Sequence, residues 1–526
     1  MCPLSIAMAM EYSFFGIGFE AQNNVDIERN DIEEQLYNGE MNRKNIVIEM
    51  GSVFVGLYLS ICKLLYKDYN IIVVVSNSFS RKIVEDIVPD SYSSIELKDE
   101  FYINHEKNKI NKIDTIKEAL IREKKYGEMF SMILSTDRLL GKGYFFNADK
   151  HPDARKSWWS HEKKIGELLK AFLFWEYIVD EYRPVLILGK SIDKVLGLIA
   201  RHNSTNYISL DNARYGYRKM WVENEYYQNN ESIKRVKENV VKYTNMNTFS
   251  SITYVQEQSA KYFHGLISYN YYIALKTAIL RFPSELIRLF TGYFKKNQGY
   301  RFLGWYPSMF RKPYIYNYFK KFGRKPEDLQ GYSLVYFPLH MEPETSLSIY
   351  SPEFTNSMEL ITWVSKSLPA GTLIVVKEQP HSYGIRPKQY YDNLRRMGNV
   401  VLAHPDTTSW QWIKCSILVT TITGTAGFEA IYFDKPVLSA GKHQLINHLP
   451  TVRYINSFDS VKEAVKELLL LSENEKLFKV SKEALYHAQH DVSFEVKGIE
   501  KLVKSRKLHM DIAEIAVKTL KEKYNI

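Results

Sequence analysis

Short apolar runs alternate with stretches of helical periodicity in two separate parts of the chain. In the first part the apolar runs cover residues 45–50, 71–76, 184–191 and 206–210. In the second part they cover residues 332–339, 372–380, 399–405, 416–424 and 435–442. Strand, helix and buried strand in this order are typical of βαβ units, so the pattern predicts two parallel sheets covered by helices.

This alternation divides the chain into five parts. The polar, Asn-rich beginning is predicted to be mobile, the interval between the sheets is mainly helical, and apolar positions recur at helical spacing near the end. The predicted parts are a lead-in (1–43), a first lobe (44–215), a helical and basic-aromatic insert (216–325), a second lobe (326–480) and C-terminal helices (481–526). We expect an α/β protein whose two lobes face a cleft, with a C-terminal helix that crosses back. Ligands are expected outside the carboxyl ends of the strands.

The net charge is confined to one segment. The chain has 70 Lys and Arg against 60 Asp and Glu, a formal charge of +10. Residues 281–325 hold eleven basic residues and one acid, so they account for the whole excess, and they also hold fourteen aromatic residues. Such a segment suits an anionic membrane interface or an anionic acceptor. A linker with solvated charges is the open alternative, whereas a nucleic-acid partner is disfavoured because the excess is local. The predicted contacts are Lys295, Lys296, Arg301, Trp305, Lys320 and Lys321.

Cysteine content and hydropathy indicate a compartment. Cys2, Cys62 and Cys415 are too few and too scattered for a disulfide framework or a zinc site. The first basic residue is Arg29, and no run approaches 18 apolar residues, so we expect neither a signal peptide nor a transmembrane helix. The sequence therefore predicts a cytoplasmic protein that is either soluble or peripheral on the inner face of the membrane.

The turn at residues 423–427 is the most informative segment. The apolar run 416–424 leads into it, and a helix begins at once. Small residues let the main chain approach a ligand, and a helix N-terminus offers free N–H groups and a positive dipole end. Thr423 and Thr425 can donate to phosphate oxygens, and Glu429 can accept from ribose hydroxyls. The segment predicts a nucleotide-phosphate site, with a tight strand–helix turn that binds nothing as the alternative.

Two further strand ends carry candidate chemistry. Lys377, Gln379 and His381 end one apolar run and are followed by Arg386 and Lys388, a set of donors suited to phosphate. A solvated loop of ordinary charges is the alternative for these residues.

The other strand end is YFPLHMEPE (336–344), which holds His340, Glu342 and Glu344. A histidine beside carboxylates can supply a general base or position a sugar, and these three are the candidate catalytic residues. A surface loop with a hydrogen-bonded histidine is the alternative. No other ligand cluster stands out in the sequence, so we predict no metal site.

Together these segments resemble a known family. YFPLHMEPE, VVKEQP (375–380) and VTTITGTAGFEAIYFDKPVLSAGKH (419–443) resemble the capsule polysaccharide biosynthesis proteins, which include bacterial transferases that add 3-deoxy-manno-octulosonate (Kdo) to a lipid anchor. The resemblance covers residues 332–450, and STDRLLGKGY (135–144) is more weakly similar to the family's N-terminal half.

The resemblance implies a GT-B fold, in which two Rossmann-like lobes hold a sugar nucleotide mainly through the C-terminal lobe. By this analogy the nucleotide phosphate is held by Thr423, Gly424, Thr425 and Gly427, the ribose by Glu429, and Lys377 lies nearby. The implied co-substrate is a CMP- or UDP-linked sugar, with no further cofactor and no metal. The implied partners are this donor and a glycan or glycolipid acceptor.

One position departs from the family pattern. Relatives often carry Glu-His-Pro after the strand, whereas this chain has Glu378-Gln379-Pro380. A glutamine can donate a hydrogen bond to phosphate but cannot carry a proton to the leaving group, and His381 is the candidate substitute.

The interpretation is a glycosyltransferase that moves a sugar to a growing surface polysaccharide or its lipid anchor. Two alternatives stay open: a nucleotide-sugar epimerase of the same fold, and a non-catalytic peripheral assembly factor.

Overall fold

A computed structural model describes most of the chain. The described residues are 43–51, 54–106, 112–137, 140, 159–191, 193–224, 226, 228–254, 269–291, 302–304, 306–342, 345–354, 356–471, 474–496 and 505–524. The predicted lead-in therefore lies almost entirely outside the described residues.

The first lobe is built on one twisted sheet. Its strands within the described residues are β1 (Asn45–Glu49), β2 (Asn70–Val75), β3 (Ser94–Leu97), β4 (Leu186–Gly189), β5 (Asn206–Asn212), β6 (Arg218–Glu223) and β13 (Ser493–Glu495). They are ordered β13-β6-β5-β4-β1-β2-β3. The pairs among β1 to β5 are parallel, whereas β6 runs antiparallel to both of its neighbours.

Helices cover both faces of this sheet. They are α1 (Val55–Leu65), α2 (Ser78–Ile87), α3 (Lys98–Glu106), α4 (Lys112–Tyr126), α5 (Phe130–Thr136), α6 (His161–Tyr182) and α7 (Lys194–His202). Ile46 and Ile48 point to one apolar layer and Val47 to the other. Because both faces are buried, the strands are continuous apolar runs rather than alternating ones, as the sequence indicated.

Three helices follow the first lobe in the chain. They are α8 (Asn230–Thr244), α9 (Tyr271–Phe290) and α10 (Tyr306–Phe322). Helix α9 packs along α10, and the Tyr306 hydroxyl donates to the carbonyl of Ala278 at 2.9 Å.

The second lobe repeats the parallel design. Its strands are β7 (Ser333–Pro338), β8 (Thr372–Lys377), β9 (Val400–Leu402), β10 (Leu418–Thr421), β11 (Val437–Ser439) and β12 (Val452–Tyr454). They pair in parallel in the order β12-β11-β10-β7-β8-β9, the doubly wound order of Rossmann sheets. Its helices are α11 (Thr345–Tyr350), α12 (Ser357–Ser367), α13 (Lys388–Arg396), α14 (Ser409–Cys415), α15 (Thr425–Tyr432) and α16 (Phe458–Leu471).

The C-terminal part of the chain crosses back to the first lobe, as predicted. Helix α17 (Glu475–Asp491) packs on α8, strand β13 joins the first sheet, and α18 (Met510–Tyr524) packs on α1. The indole Nε1 of Trp221 on β6 donates to the carbonyl of Ala516 at 3.2 Å.

The structure thus has the predicted fold class, two Rossmann-like lobes joined by helices. Strand β6 falls within the interval 216–325 that the sequence assigned to the helical insert. As an antiparallel strand near the sheet edge it lacks the continuous apolar run of a buried parallel strand. Among the described helices, none is both long enough and apolar enough to cross a bilayer.

Candidate functional site

The predicted site residues converge at the carboxyl edge of the second sheet. Strands β10, β7 and β8 are neighbours in the sheet. His340 follows β7, Lys377 ends β8, and Thr423 follows β10. Segments that are far apart in the sequence therefore meet at one edge, where parallel sheets bind ligands.

The turn after β10 has no room for side chains at its glycines. A Cβ on Gly424 would lie 2.9 Å from Thr421 Oγ1 and 3.2 Å from His340 Nε2. A Cβ on Gly427 would lie 2.8 Å from Ile446 Cδ1. Both positions therefore require glycine because the turn packs closely against its neighbours. The amide of Gly427 donates to the carbonyl of Gly424 at 3.2 Å, whereas the first two amides of α15 have no earlier helical carbonyl to bond.

Hydrogen bonds fix the shape of this turn. The amide of Thr423 donates to His340 Nε2 at 3.0 Å, and the amide of Gly424 donates to Thr421 Oγ1 at 2.9 Å. The side-chain hydroxyl of Thr423 is buried and has no hydrogen-bond partner among the described residues. A buried hydroxyl without a partner costs free energy, which a bound phosphate oxygen would recover.

His340 supports the turn in its neutral form. Burial lowers the pKa of its imidazole to about 3, and the nearby charges of Arg386 and Arg214 act in the same direction. Because Nε2 accepts the Thr423 amide proton, the ring proton belongs on Nδ1, which has no hydrogen-bond partner among the described residues. The geometry gives His340 a positioning contact with the turn, and its catalytic role stays a prediction.

Glu342 belongs to a buried charge network. One of its carboxylate oxygens accepts from the Ser357 hydroxyl at 2.7 Å and lies 3.3 Å from an Arg386 guanidinium nitrogen. Arg386 also donates to both carboxylate oxygens of Glu378, one of which accepts from the Tyr391 hydroxyl at 2.6 Å. Arg386, which the sequence grouped with phosphate donors, is therefore occupied by two carboxylates, and the network ties the loop after β7 to the loop after β8.

Lys377 differs from Arg386 in lacking such partners. It is 9% exposed, and its ammonium has no hydrogen bond or ion pair among the described residues. Burial lowers the pKa of this ammonium to about 8, although Glu378 and Asp406 pull it the other way. A buried cation of this kind at a ligand edge is suited to an anion from outside the protein.

The structure gives a different outcome for each of the neighbouring predicted phosphate donors Gln379, His381 and Lys388. The amide of Gln379 donates to the Glu378 carboxylate at 2.7 Å, and a 3-10 turn over Pro380–Ser382 follows. The side chain of His381 lies outside what the structure describes. Lys388 is exposed and pairs with Asp392 at 2.7 Å within its own helix, away from the turn at 423–427.

Glu429 lies on the second turn of α15 with its carboxyl group buried. Burial raises the pKa of this carboxyl to about 6, and the indole of Trp410 acts against that rise. Its predicted contact with ribose stays a prediction.

The first lobe supplies an arginine that sequence reasoning missed. The guanidinium of Arg214, which follows β5, donates to the Thr425 hydroxyl at 3.4 Å and lies 5.6 Å from the centre of the Phe428 ring. Its backbone is in the left-handed region, with φ 60°. The signal in the sequence was a basic residue just beyond the run 206–210, a strand end like the others. Arg214 brings a positive charge from the facing lobe to the turn.

A cleft between the lobes opens beside this contact. It is lined by residues of both lobes, including Asn212, Arg214, Gln228, Tyr350, Phe428 and Gln444. The rings of Tyr226 and His443 stack across the lobes at 4.0 Å between centroids. The cleft therefore reaches the second lobe at Phe428, on the helix that follows the turn, and at His443 of the aromatic contact.

Several predicted residues cannot be placed at this site. Glu344, Lys295, Lys296, Arg301 and Trp305 lie outside the described residues. Lys320 and Lys321 are on α10, where their ammonium groups lie over the rings of Tyr316 and Phe322. Within the described part of the chain, no group of three or more His, Cys, Asp or Glu side chains is arranged to hold a metal ion.

Two Rossmann-like lobes facing one cleft make up the GT-B architecture. No family model matches the chain, and no curated protein matches it. Several solved structures align with it at low identity and low TM-score. The Staphylococcus aureus MnaA–UDP complex is 12% identical at a TM-score of 0.27, over 92% of this chain and 97% of that one.

Two further structures illustrate the range of these alignments. A Thermosulfurimonas dismutans KpsC β-Kdo 2,7-transferase is 13% identical at a TM-score of 0.27, over 58% of this chain and 81% of that one. A UDP-GlcNAc 2-epimerase from Neisseria meningitidis is 10% identical at a TM-score of 0.28, over 91% of this chain and all of that one (100%).

Proposed function

We propose that the chain is a glycosyltransferase that moves a sugar from a CMP- or UDP-linked donor to a growing surface polysaccharide or its lipid anchor. The observation that carries the proposal is the turn at 423–427, which combines close-packed glycines, the unpartnered hydroxyl of Thr423 and the guanidinium of Arg214, with a second cation, Lys377, two strands away at the same carboxyl edge. Lys377 comes from the same lobe and Arg214 from the facing one. Such a set of donors suits the phosphate of a sugar nucleotide.

In the proposed reaction the acceptor hydroxyl attacks the anomeric carbon of the donor sugar. The bond between that carbon and the phosphate oxygen breaks, and the nucleotide leaves with the bonding electrons. The free amides of α15, Thr423, Arg214 and Lys377 stabilise the negative charge that develops on the phosphate. The proton of the acceptor hydroxyl goes to a base, for which His340, Glu342 and Glu344 are the candidates from the sequence. His340 Nε2 already accepts from the Thr423 amide and Glu342 already accepts from Ser357, so either would have to give up that contact to take the proton.

Arg214 gives this site a dependence on lobe closure. Its contact with Thr425 joins the first lobe to the phosphate turn across the cleft. A donor bound at the turn would meet this charge only when the lobes are closed, so the leaving group is stabilised in the closed state. This couples stabilisation of the phosphate to exclusion of water from the cleft.

The test is a thermal-shift screen of the full chain against CMP, UDP, GDP and CDP. We expect one nucleotide to raise the melting temperature of the wild type and of Thr420→Val equally, and that of Thr423→Val by clearly less. Thr420 is the matched control because its hydroxyl is likewise buried without a hydrogen-bond partner among the described residues, but it lies within strand β10. A shift in Thr423→Val as large as in the wild type, or no shift with any nucleotide, contradicts the proposal.

A product assay separates the transferase from the epimerase. The sugar nucleotide selected by the screen is incubated with the chain in the absence of acceptor, and the sugar is analysed. A transferase leaves the sugar configuration unchanged, whereas an epimerised product establishes the alternative enzyme class.

A further inference from the structure

Helix α9 carries a large apolar surface that faces solvent. Ten of its residues are large apolar side chains that are exposed. The most exposed are Tyr272 at 71%, Ile279 at 63%, Leu280 at 68%, Ile287 at 63% and Phe290 at 84%. Single exposed apolar residues are ordinary, but a contiguous group on one helix marks an interaction surface.

The helix is turned the opposite way from an ordinary surface helix. Its buried residues are Ala274, Ala278 and Glu285, which recur at helical spacing and form the face toward the protein. The large apolar side chains lie on the remaining faces. A helix of a globular protein normally buries its large apolar residues and exposes its polar ones. The outward face of α9 is therefore built to be covered by something other than the described part of this chain.

The charges of α9 and α10 indicate what covers the outward face of α9. Helices α9 and α10 together carry seven Lys and Arg residues: Lys276, Arg281, Arg288, Lys320 and Lys321 are exposed, whereas Arg311 and Lys312 are partly buried. Their one acid, Glu285, is buried and pairs with Arg288 at 2.9 Å. A second copy of this helix pair would bring like charges together. A partner surface that is both apolar and anionic matches the exposed apolar side chains and the basic residues at once.

We propose that α9 docks in the interface of an anionic phospholipid bilayer, lying in the membrane plane with its apolar face among the acyl chains. No described helix qualifies as a membrane span, and an apolar face flanked by basic residues is the pattern of an interfacial helix. The inference does not depend on the function proposed above.

Helix α10 connects this surface to the second lobe. The hydroxyl of Tyr318 donates to the Asp392 carboxylate at 2.6 Å, and that of Tyr316 donates to Asp406 at 2.9 Å. The helix rests on the loop after β8, where a Cβ on Gly384 would lie 2.8 Å from the amide nitrogen of Lys312. The docked membrane thus lies on the β8 side of the second lobe.

The test is flotation of the full chain with vesicles of phosphatidylcholine alone or with phosphatidylglycerol added. We expect the wild type to float with the anionic vesicles and the combined variant Ile279→Gln, Leu280→Gln, Ile287→Gln and Phe290→Gln to lose binding by at least about tenfold. The charge variant Lys276→Gln with Arg281→Gln is expected to lose about fivefold for each charge removed.

The control removes as many exposed apolar residues from other helices: Phe79→Gln, Val241→Gln, Leu470→Gln and Ile515→Gln. It should float like the wild type. Thermal unfolding checks that each variant folds, and the charge variant carries the test if the apolar one does not. A wild type that ignores anionic vesicles, or an α9 variant that floats like the control, overturns the proposal. Self-association of the wild type that the α9 variant abolishes, without vesicle binding, shows instead an interface between copies of this chain.

Discussion

The carboxyl edges of the two parallel sheets hold buried charges in different ways. In the first lobe, Glu49 at the end of β1 pairs with Lys98 at 2.6 Å and with Lys190 at 2.9 Å. Burial favours the neutral acid, but the two lysines outweigh it and lower the pKa of Glu49 to about 2. In the second lobe, Lys377 ends β8 without such a partner among the described residues, and burial lowers its pKa to about 8.

Glu429 makes the same contrast for a carboxylate. It is nearly as buried as Glu49 but has no ion pair among the described residues, so the pKa of its carboxyl rises to about 6 instead of falling. The first lobe thus pairs its buried Glu49 internally, whereas at the edge of the second lobe only Arg386, Glu342 and Glu378 are paired in this way, and Lys377 and Glu429 have no ion pair among the described residues. This difference favours the second lobe as the one that holds an anionic ligand.

The largest effect, on the free energy of unfolding, is expected when the buried ion pairs of Glu49 are broken. Glu49→Gln leaves the ammonium groups of Lys98 and Lys190 without their anion, and we expect a loss of about 3 kcal/mol in the free energy of unfolding at pH 7. Urea unfolding measures it. The control is Glu85→Gln, which removes an exposed ion pair with Arg81 and is expected to change stability by less than about 0.5 kcal/mol.

The pH dependence of this loss is fixed by the sign of the shift. Because the folded pKa of Glu49 lies below the ordinary value of 4.5, its stabilisation is present above pH 4.5 and disappears as the pH falls toward 2. The wild type and Glu49→Gln should therefore approach each other in stability over that interval. A difference that persists at pH 2 would show that the charge pairs are not its source.

The second effect falls on binding rather than on folding. Lys377→Met removes a buried cation that has no internal partner, so the free energy of unfolding without ligand should stay the same or rise. Nucleotide affinity should fall about 30-fold, equivalent to about 2 kcal/mol. Calorimetric titration with the nucleotide found by thermal shift measures this. Lys388→Met, which removes an exposed lysine paired with Asp392, should leave affinity unchanged.

Titration of Lys377 gives the same test in the unmodified protein. The folded pKa of about 8 means that the ammonium loses its charge above pH 8, so wild-type affinity should decline there and that of Lys377→Met should not. Equal pH profiles of nucleotide affinity for the two proteins would show that Lys377 does not contact the bound nucleotide.

Much of the fold could be predicted because buried parallel strands have continuous apolar sequences. Strands β1, β4 and β7 to β11 fall within predicted runs, and β2 and β5 overlap theirs with an offset of one or two residues at one end. Strands β3 and β12, at sheet edges, and β6 and β13, which run antiparallel, did not stand out. Such strands are buried on fewer sides and need no long apolar run.

The site was predictable to the level of strand ends but not of pairings. The sequence placed Lys377 and Thr423 at carboxyl ends, and the structure brings them to one edge. The sequence could not show that Arg386 forms ion pairs with Glu342 and Glu378, because these pairs depend on contacts between separate loops. Arg214 was missed for the same reason: its contact with Thr425 joins residues of two lobes.

The smallest predicted effect is at Glu429, whose contribution to stability should depend on pH in the opposite direction from that of Glu49. Because the folded pKa of Glu429 lies above 4.5, the wild type should lose stability relative to Glu429→Gln as the pH rises from 4.5 through 6, by on the order of 1 kcal/mol. Over the same rise Glu49 makes no further change, since its stabilisation is already complete above pH 4.5. Urea unfolding of both variants at pH 4.5 and 7 compares the slopes. Bound nucleotide should abolish the Glu429 slope if ribose hydroxyls donate to its carboxylate, and a slope that nucleotide leaves unchanged would separate Glu429 from the ligand.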